Sequence, residues 1–246
     1  MTNPNEKTYA LFAAPANKKI IAELERRGAQ VFQFPPLEIE KTVLDEKTID
    51  TVKKLDAFDW VIFPDVLTVE YFLQILEENE VALFEMDSTQ VCAVGEAVAD
   101  RLRFAQLHAD VIPVSVSAKD VFLALSDYIG KEELSGLRFL LVKEDSDKYA
   151  INEQLVENNA KVIELPVYRA AISGNDETAK LKILLKGGAI DEFIFSSPTD
   201  LIALKRYFDN EYISETFAEI LISATDKIIW QALREHDLKA NFFQLK

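Results

Sequence analysis

The run Ser196-Ser197-Pro198-Thr199-Asp200 sits between an apolar stretch, Asp191 to Phe195, and an amphipathic one, Leu201 to Phe208. Ser197 is a good helix N-cap, Pro198 suits the first helical position, and Asp200 suits the first turn. Two chemistries are open to such a corner. Its hydroxyls serve only the helix they start, or they join the first backbone N–H groups in receiving a carboxylate from an acidic ligand. After residues 59–63 the matching corner reads Pro64-Asp65, and Asp65 is expected to cap a helix starting at Val66. A fixed carboxylate there takes the place of an incoming anion and repels it.

Other reactive residue types are sparse. The single cysteine, Cys92, excludes an internal disulfide and a Cys-rich metal site, and its apolar surroundings read as a buried strand. His108 and His236 are too few for most His-based metal sites and are expected to be solvated at helix ends. The chain has seven glycines but neither a G-x-G-x-x-G run nor a phosphate-binding loop. No metal or organic cofactor is expected.

The formal net charge is −15, from 42 acidic and 27 basic residues, which repels nucleic acid and anionic membrane at long range. Hydrophobic content of 49% supports packed cores. No stretch approaches the roughly 18 apolar residues of a membrane span, and the start lacks a signal-peptide pattern, so a reduced cytoplasm is the expected compartment.

Strand and helix signals alternate almost throughout. Apolar runs at 8–14, 29–35, 59–63, 90–95, 109–114, 137–142 and 160–168, then near 191–196, 219–224 and 239–245, read as strands. Amphipathic segments such as 17–28, 68–79, 118–129, 199–208 and 227–236 separate them. Apolar strands joined by single helices predict parallel sheets covered on both faces. Ten strands fit two flavodoxin-like sheets better than one very wide sheet. Residues 35–43 and 168–174 are extended without helical periodicity and read as a two-stranded linker. The expected domains are therefore 1–37 with 172–246, and a nested 38–171.

A repeat supports this division. Phe58 matches Ile190, Asp59 matches Asp191, Phe63 matches Phe195, Asp65 matches Ser197, Val69 matches Leu201 and Phe72 matches Leu204. A weaker echo pairs residues 95–102 with 226–233. One α/β unit used twice gives two strand-to-helix corners, placed where parallel sheets bind ligands.

The opening "APANKKIIAELERRGAQVFQFPPLEIE", the middle run "CAVGEAVADRL", and "GLRFLLVKEDSDKYAINEQLVENNAKVIELPVYRA" with "IDEFIFSSPTDLIAL" follow one another in an order and spacing that resemble the uroporphyrinogen-III synthase family. The likeness covers nearly the whole chain. It implies two α/β lobes on a paired-strand linker, acting as a cytoplasmic monomer without a cofactor. It also implies that linear hydroxymethylbilane closes in the cleft between the lobes, with inversion of the last pyrrole ring, after transient handover from hydroxymethylbilane synthase. Several family motif positions differ: Ala13-Ala14-Pro15 stands for Thr-Arg-Pro, Pro64-Asp65 for a Thr-Ser corner, and Val98 and Ile229 for threonines. A homologue that kept the scaffold for binding or interaction and lost the chemistry is the alternative reading.

The resemblance assigns Tyr168 as the catalytic phenol, and Ser196, Ser197 and Gly95 as substrate-binding residues. Because the substrate carries eight carboxylates, cations near strand ends are also expected among its ligands. Lys143 and Lys148 are the preferred pair, ahead of Lys18, Lys19, Arg169 and Lys227.

Overall fold

The structure is a computed structural model that describes residues 7–145, 149–172, 175–208, 217 and 219–244. Its strands are β1 (Thr8–Phe12), β2 (Gln30–Phe34), β3 (Leu37–Lys41), β4 (Trp60–Phe63), β5 (Gln90–Ala93), β6 (Arg138–Glu144), β7 (Lys161–Ile172), β8 (Glu192–Phe195), β9 (Leu221–Ala224) and β10 (Ala240–Phe242). The helices are α1 (Lys18–Arg26), α2 (Glu46–Val52), α3 (Val66–Glu78), α4 (Glu96–Phe104), α5 (Ala118–Ile129), α6 (Ala150–Glu157), α7 (Asn175–Lys186), α8 (Pro198–Tyr207) and α9 (Lys227–Glu235). The chain divides into a unit of residues 1–38 with 171–246 and a unit of residues 39–170. One division falls inside β3 and the other inside β7, and these two strands are sheet neighbours.

Five strands form each sheet: β10-β9-β8-β1-β2 in the first unit and β3-β7-β6-β4-β5 in the second. The pairings along β10-β9-β8-β1-β2 and along β7-β6-β4-β5 are parallel. Central strands β4 and β8 are buried at all four positions, as apolar runs covered on both faces require. In the second unit Trp60, Ile62, Phe139 and Leu141 from the sheet pack with Val121 and Leu125 of α5 and Ile151 and Leu155 of α6. The first unit packs Tyr9, Leu11 and Ile194 against Ile21 and Leu24 of α1.

The expected strand at 109–114 shrinks to one parallel bridge between Val111 and Cys92. Pro113 has no N–H to extend that ladder. With this bridge, the two sheets share one spatial order although their chain orders differ. Val111, β5, β4, β6 and β7 stand in the second unit where β10, β9, β8, β1 and β2 stand in the first.

Residues 132 apart accordingly perform equal tasks. Asp59 Oδ2 accepts from Arg138 N at 2.7 Å at the start of β6, and Asp191 Oδ2 accepts from Thr8 N at 2.7 Å at the start of β1. Phe63 O accepts from Val94 N, and Phe195 O from Thr225 N, each at 3.0 Å.

Gly95 links β5 to α4 with φ 100° and ψ 159°, a region essentially closed to residues with a Cβ. Gly95→Ala is expected to lower unfolding free energy by about 1–3 kcal/mol, read as a shift of the denaturant midpoint at constant slope.

Candidate functional site

In each unit two neighbouring parallel strands lead away in opposite directions: β4 to β5 and β6 to β7, or β8 to β9 and β1 to β2. Right-handed crossovers then carry the chain to opposite faces, leaving a crevice at the carboxyl ends. Both strand-to-helix corners singled out by the repeat stand at such a point.

In the first unit, Ser197 caps α8, its Oγ accepting from Thr199 N at 3.1 Å and pairing with Thr199 Oγ1 at 2.6 Å. Asp200 folds back on the corner. Its Oδ2 accepts from Ser196 N at 2.7 Å, Ser197 N at 3.1 Å and Ser196 Oγ at 3.1 Å. The amides of Ser196 and Ser197, just before the helix, thus already hold a carboxylate from the chain itself, and the first-turn amide of Thr199 is taken by Ser197 Oγ. Ser196, Ser197 and Thr199 stay partly exposed while Asp200 is buried. Burial pushes the Asp200 carboxyl up to about 6, against the pull of the three donors. Exposed cations flank this end of the sheet: Lys18 and Lys19 open α1 after β1, and Lys227 opens α9 after β9.

The second unit presents a different corner. Asp65 caps α3 in a reciprocal box, Oδ1 accepting from Thr68 N at 2.8 Å while Thr68 Oγ1 accepts from Asp65 N at 3.3 Å. Its other oxygen, Oδ2, accepts from the Tyr168 hydroxyl at 3.2 Å and from the Tyr149 hydroxyl at 3.4 Å, both long for a hydroxyl–carboxylate contact. Tyr168 is 1% exposed, and its ring stacks on Tyr71 of α3 with centroids 5.5 Å apart. Burial first, then the Asp65 carboxylate, raises the Tyr168 hydroxyl well above the ordinary phenol range.

A register shift places Tyr168 here. Lys143 pairs with Pro166 but Glu144 pairs with Tyr168, so Val167 is an extra residue in β7. Such a bulge accommodates a proline and re-aims the side chain that follows. Glu144 is fully buried, and its Oε1 accepts from Ala170 N at 3.1 Å.

The expected catalytic and substrate-binding residues are thus distributed between units. Tyr168, Lys143 and Gly95 belong to the second, with Gly95 buried at the start of α4; Ser196 and Ser197 belong to the first. Lys143 is buried, and its Nζ lies 3.2 Å from Glu164 Oε2, so its charge has an internal partner. Lys148 lies outside the described residues. Arg169 is paired with Asp145. His108 is exposed. His236 stands at the end of α9 as expected but is half-buried, and burial lowers its pKa to about 3, so the ring stays neutral. Among the described residues no cluster of His, Cys, Asp and Glu suits a metal ion, and no helix is long and apolar enough to cross a membrane. Sequence reasoning missed Tyr149 and the fold-back of Asp200. The second had a signal in the Ser-x-x-Asp capping pattern.

Asp200 makes a pH test available. Its folded pKa, about 6, lies above the unfolded value, so the group adds stability that is present below about 4 and lost as pH rises through 6. The loss amounts to roughly 3 kcal/mol. Asp200→Asn keeps an acceptor without the titration, so its unfolding free energy relative to the parent is expected to climb between pH 4 and pH 7 and then level off.

A sequence model described as uroporphyrinogen-III synthase HemD matches residues 18–243. A curated uroporphyrinogen-III synthase from Chlorobaculum parvum is 25% identical over 222 residues, spanning 90% of this chain and 85% of that protein. The wild-type uroporphyrinogen III synthase of Thermus thermophilus superposes with a TM-score of 0.69 at 20% identity, covering 96% of this chain and 91% of that one. A second Thermus thermophilus structure of that synthase gives 0.66 at 19% identity, covering 95% and 91%. These structural likenesses carry the fold, two α/β sheets of parallel strands. The family match takes in β4, β8 and both strand-to-helix corners, and on that ground the chain belongs to the uroporphyrinogen-III synthase family.

Proposed function

We propose that the protein closes linear hydroxymethylbilane to uroporphyrinogen III, with inversion of the last pyrrole ring, as a lyase of tetrapyrrole biosynthesis. The observation that carries this reading is the family match from residue 18 to residue 243. The alternative, a homologue that kept only the scaffold, receives no support from the relatives.

The reaction asks little of strong acids or bases. The terminal hydroxymethyl C–O bond breaks, and its electron pair leaves with oxygen, which takes a proton and departs as water. The pyrrole nitrogen lone pair fills the deficit and gives a cationic azafulvene. The substituted end of the last ring attacks it through a spiro intermediate. The bond from that ring carbon to its original methylene bridge then breaks, giving a second azafulvene. The free α-carbon of the same ring attacks the released methylene, which inverts the ring, and loss of the proton on that carbon restores its aromaticity. Folding the bilane so that its ends meet supplies several kcal/mol through effective molarity.

Tyr168, with its proton directed at Asp65 and its acidity suppressed, acts as an orienting hydroxyl rather than as the source of the departing proton. The Ser197 and Thr199 hydroxyls at the α8 corner, with the exposed Lys18, Lys19 and Lys227, suit the acid arms of the bilane. Ser196 acts through Asp200, Gly95 shapes the start of α4, and Lys143 and Lys148 complete the proposed contacts. The two units serve as separate domains. The enzyme works as a cytoplasmic monomer without a cofactor and receives the unstable bilane from its upstream synthase.

Hydroxymethylbilane made in situ by the upstream synthase, followed by oxidation and chromatographic separation of isomers, tests the function. Type III porphyrin above the spontaneous background is expected; type I alone would overturn it. Tyr168→Phe and Ser197→Ala, each losing one hydrogen bond, should each slow type III formation by about tenfold, and unchanged rates would remove these two residues from the site.

A further inference from the structure

At the carboxyl end of β8 the α8 corner separates a buried carboxylate from a more exposed pair of hydroxyls. All three donors to Asp200, namely Ser196 N, Ser197 N and Ser196 Oγ, meet one oxygen, Oδ2. The other oxygen can therefore gain or lose a proton without breaking any of these bonds. Ser197 Oγ and Thr199 Oγ1 lie 2.6 Å apart, and Ser197 Oγ also accepts from Thr199 N. Two hydroxyls carry two protons and one is spent between them, so among the described residues the pair keeps one O–H for a ligand. Both residues are partly exposed, whereas Asp200 is 1% exposed.

Ser197 belongs to both arrangements. Its amide goes to Asp200 and its hydroxyl to the pair, so a ligand carboxylate at the pair and the Asp200 carboxylate stand at two ends of one residue. Like charges that close favour the neutral form of whichever group can take a proton. Asp200 is suited to do so, because burial already pushes its carboxyl up to about 6 against the three serine donors. On α8 itself the other titratable groups are Lys205, Arg206 and Tyr207, and β8 contributes Glu192. From α9, which packs on α8, come Asp226 and Lys227 at its start and Arg234, Glu235 and His236 at its end. None of these is among the causes of the Asp200 shift, which burial and the serines set.

We propose that Asp200 is a positioning residue for the substrate's acid arms, and that an acid arm received by the Ser197–Thr199 hydroxyl pair draws a proton onto the Asp200 carboxyl. Asp200 acts through Ser197 and does not touch the ligand. When it is ionised, its bonds hold the corner but a negative charge stands behind the hydroxyls. When it is neutral, the same bonds remain and the repulsion is gone. Acid-arm affinity is highest while this carboxyl is protonated and falls as pH rises through 6; it levels off once the bound form has also lost its proton. The proposal rests on the reading above that this corner receives acid arms, and the experiment separates the two.

Uroporphyrin III, the oxidised form of the proposed product with the same acid arms, is titrated into the parent and into Asp200→Asn, with porphyrin fluorescence as the readout. Asparagine keeps a neutral oxygen for the three donors while the charge is lost. The ratio of the parent Kd to the variant Kd is expected to be near one at about pH 5 and to rise about three- to tenfold by roughly pH 7.5. The porphyrin's own acids titrate alike in both proteins and cancel. In the isomer assay the same ratio is expected in KM for hydroxymethylbilane rather than in kcat. Carbon-13 NMR of the Asp200 carboxyl in the parent, which needs no variant, is expected to show titration at higher pH with porphyrin bound. A ratio that stays flat with pH, or an Asp200 titration that porphyrin leaves in place, would overturn the proposal; the cyclase survives that result if type III product forms. A parent that forms no type III product yet shows both shifts removes the cyclase and keeps the role of Asp200 in acid binding. One that neither forms the product nor binds porphyrin removes both.

Discussion

The structure depends on pairs of adjacent parallel strands whose onward connections run apart, β4 beside β6 and β8 beside β1. Each member must feed a right-handed crossover, so the helices that follow leave toward opposite faces and the strand ends are not covered by one another's loops. Whatever stands in the first turn after such a strand is offered to a ligand. In this protein those turns hold Pro64-Asp65 and Ser196-Ser197.

Placing carboxylates at these turns has a physical logic of its own. A helix start exposes several N–H groups and a partial positive charge, and an acidic side chain satisfies both. Asp65 does so from the cap position, and Asp200 from within the first turn. Glu144 and Glu192 are likewise buried, with Ala170 N and Ser223 Oγ as their respective donors. A chain of net charge −15 thereby keeps acids inside by giving each a main-chain or hydroxyl donor. The two corners differ in what surrounds them. The first unit keeps hydroxyls and exposed lysines at the carboxyl ends of β1, β8 and β9, while at its own corner the second has two phenols bonded to a carboxylate.

Much of the fold was legible because parallel strands buried on both faces must be apolar runs, and helices between them must be amphipathic. Residues 59–63 and 191–196 could scarcely be read otherwise. The repeat made the double α/β unit visible, since Asp59 and Asp191 tie down the neighbouring strand in the same way and cannot be exchanged freely. The stretch 109–114 failed as a full strand because composition does not reveal where a proline interrupts a ladder at the sheet edge.

The sequence by itself determined the class of fold, the two corners and the capping of their helices, for these depend on residues within a few positions of one another. It also marked Asp65 as the acid that replaces a polar family corner. Only the tertiary structure decided which side chains that acid meets. Tyr149 and Tyr168 lie 84 and 103 positions away from Asp65 along the chain. Their meeting requires β4, β6 and β7 to be ordered as they are and β7 to carry an extra residue at Val167. Proton direction and burial arise from that packing, and no local pattern encodes them.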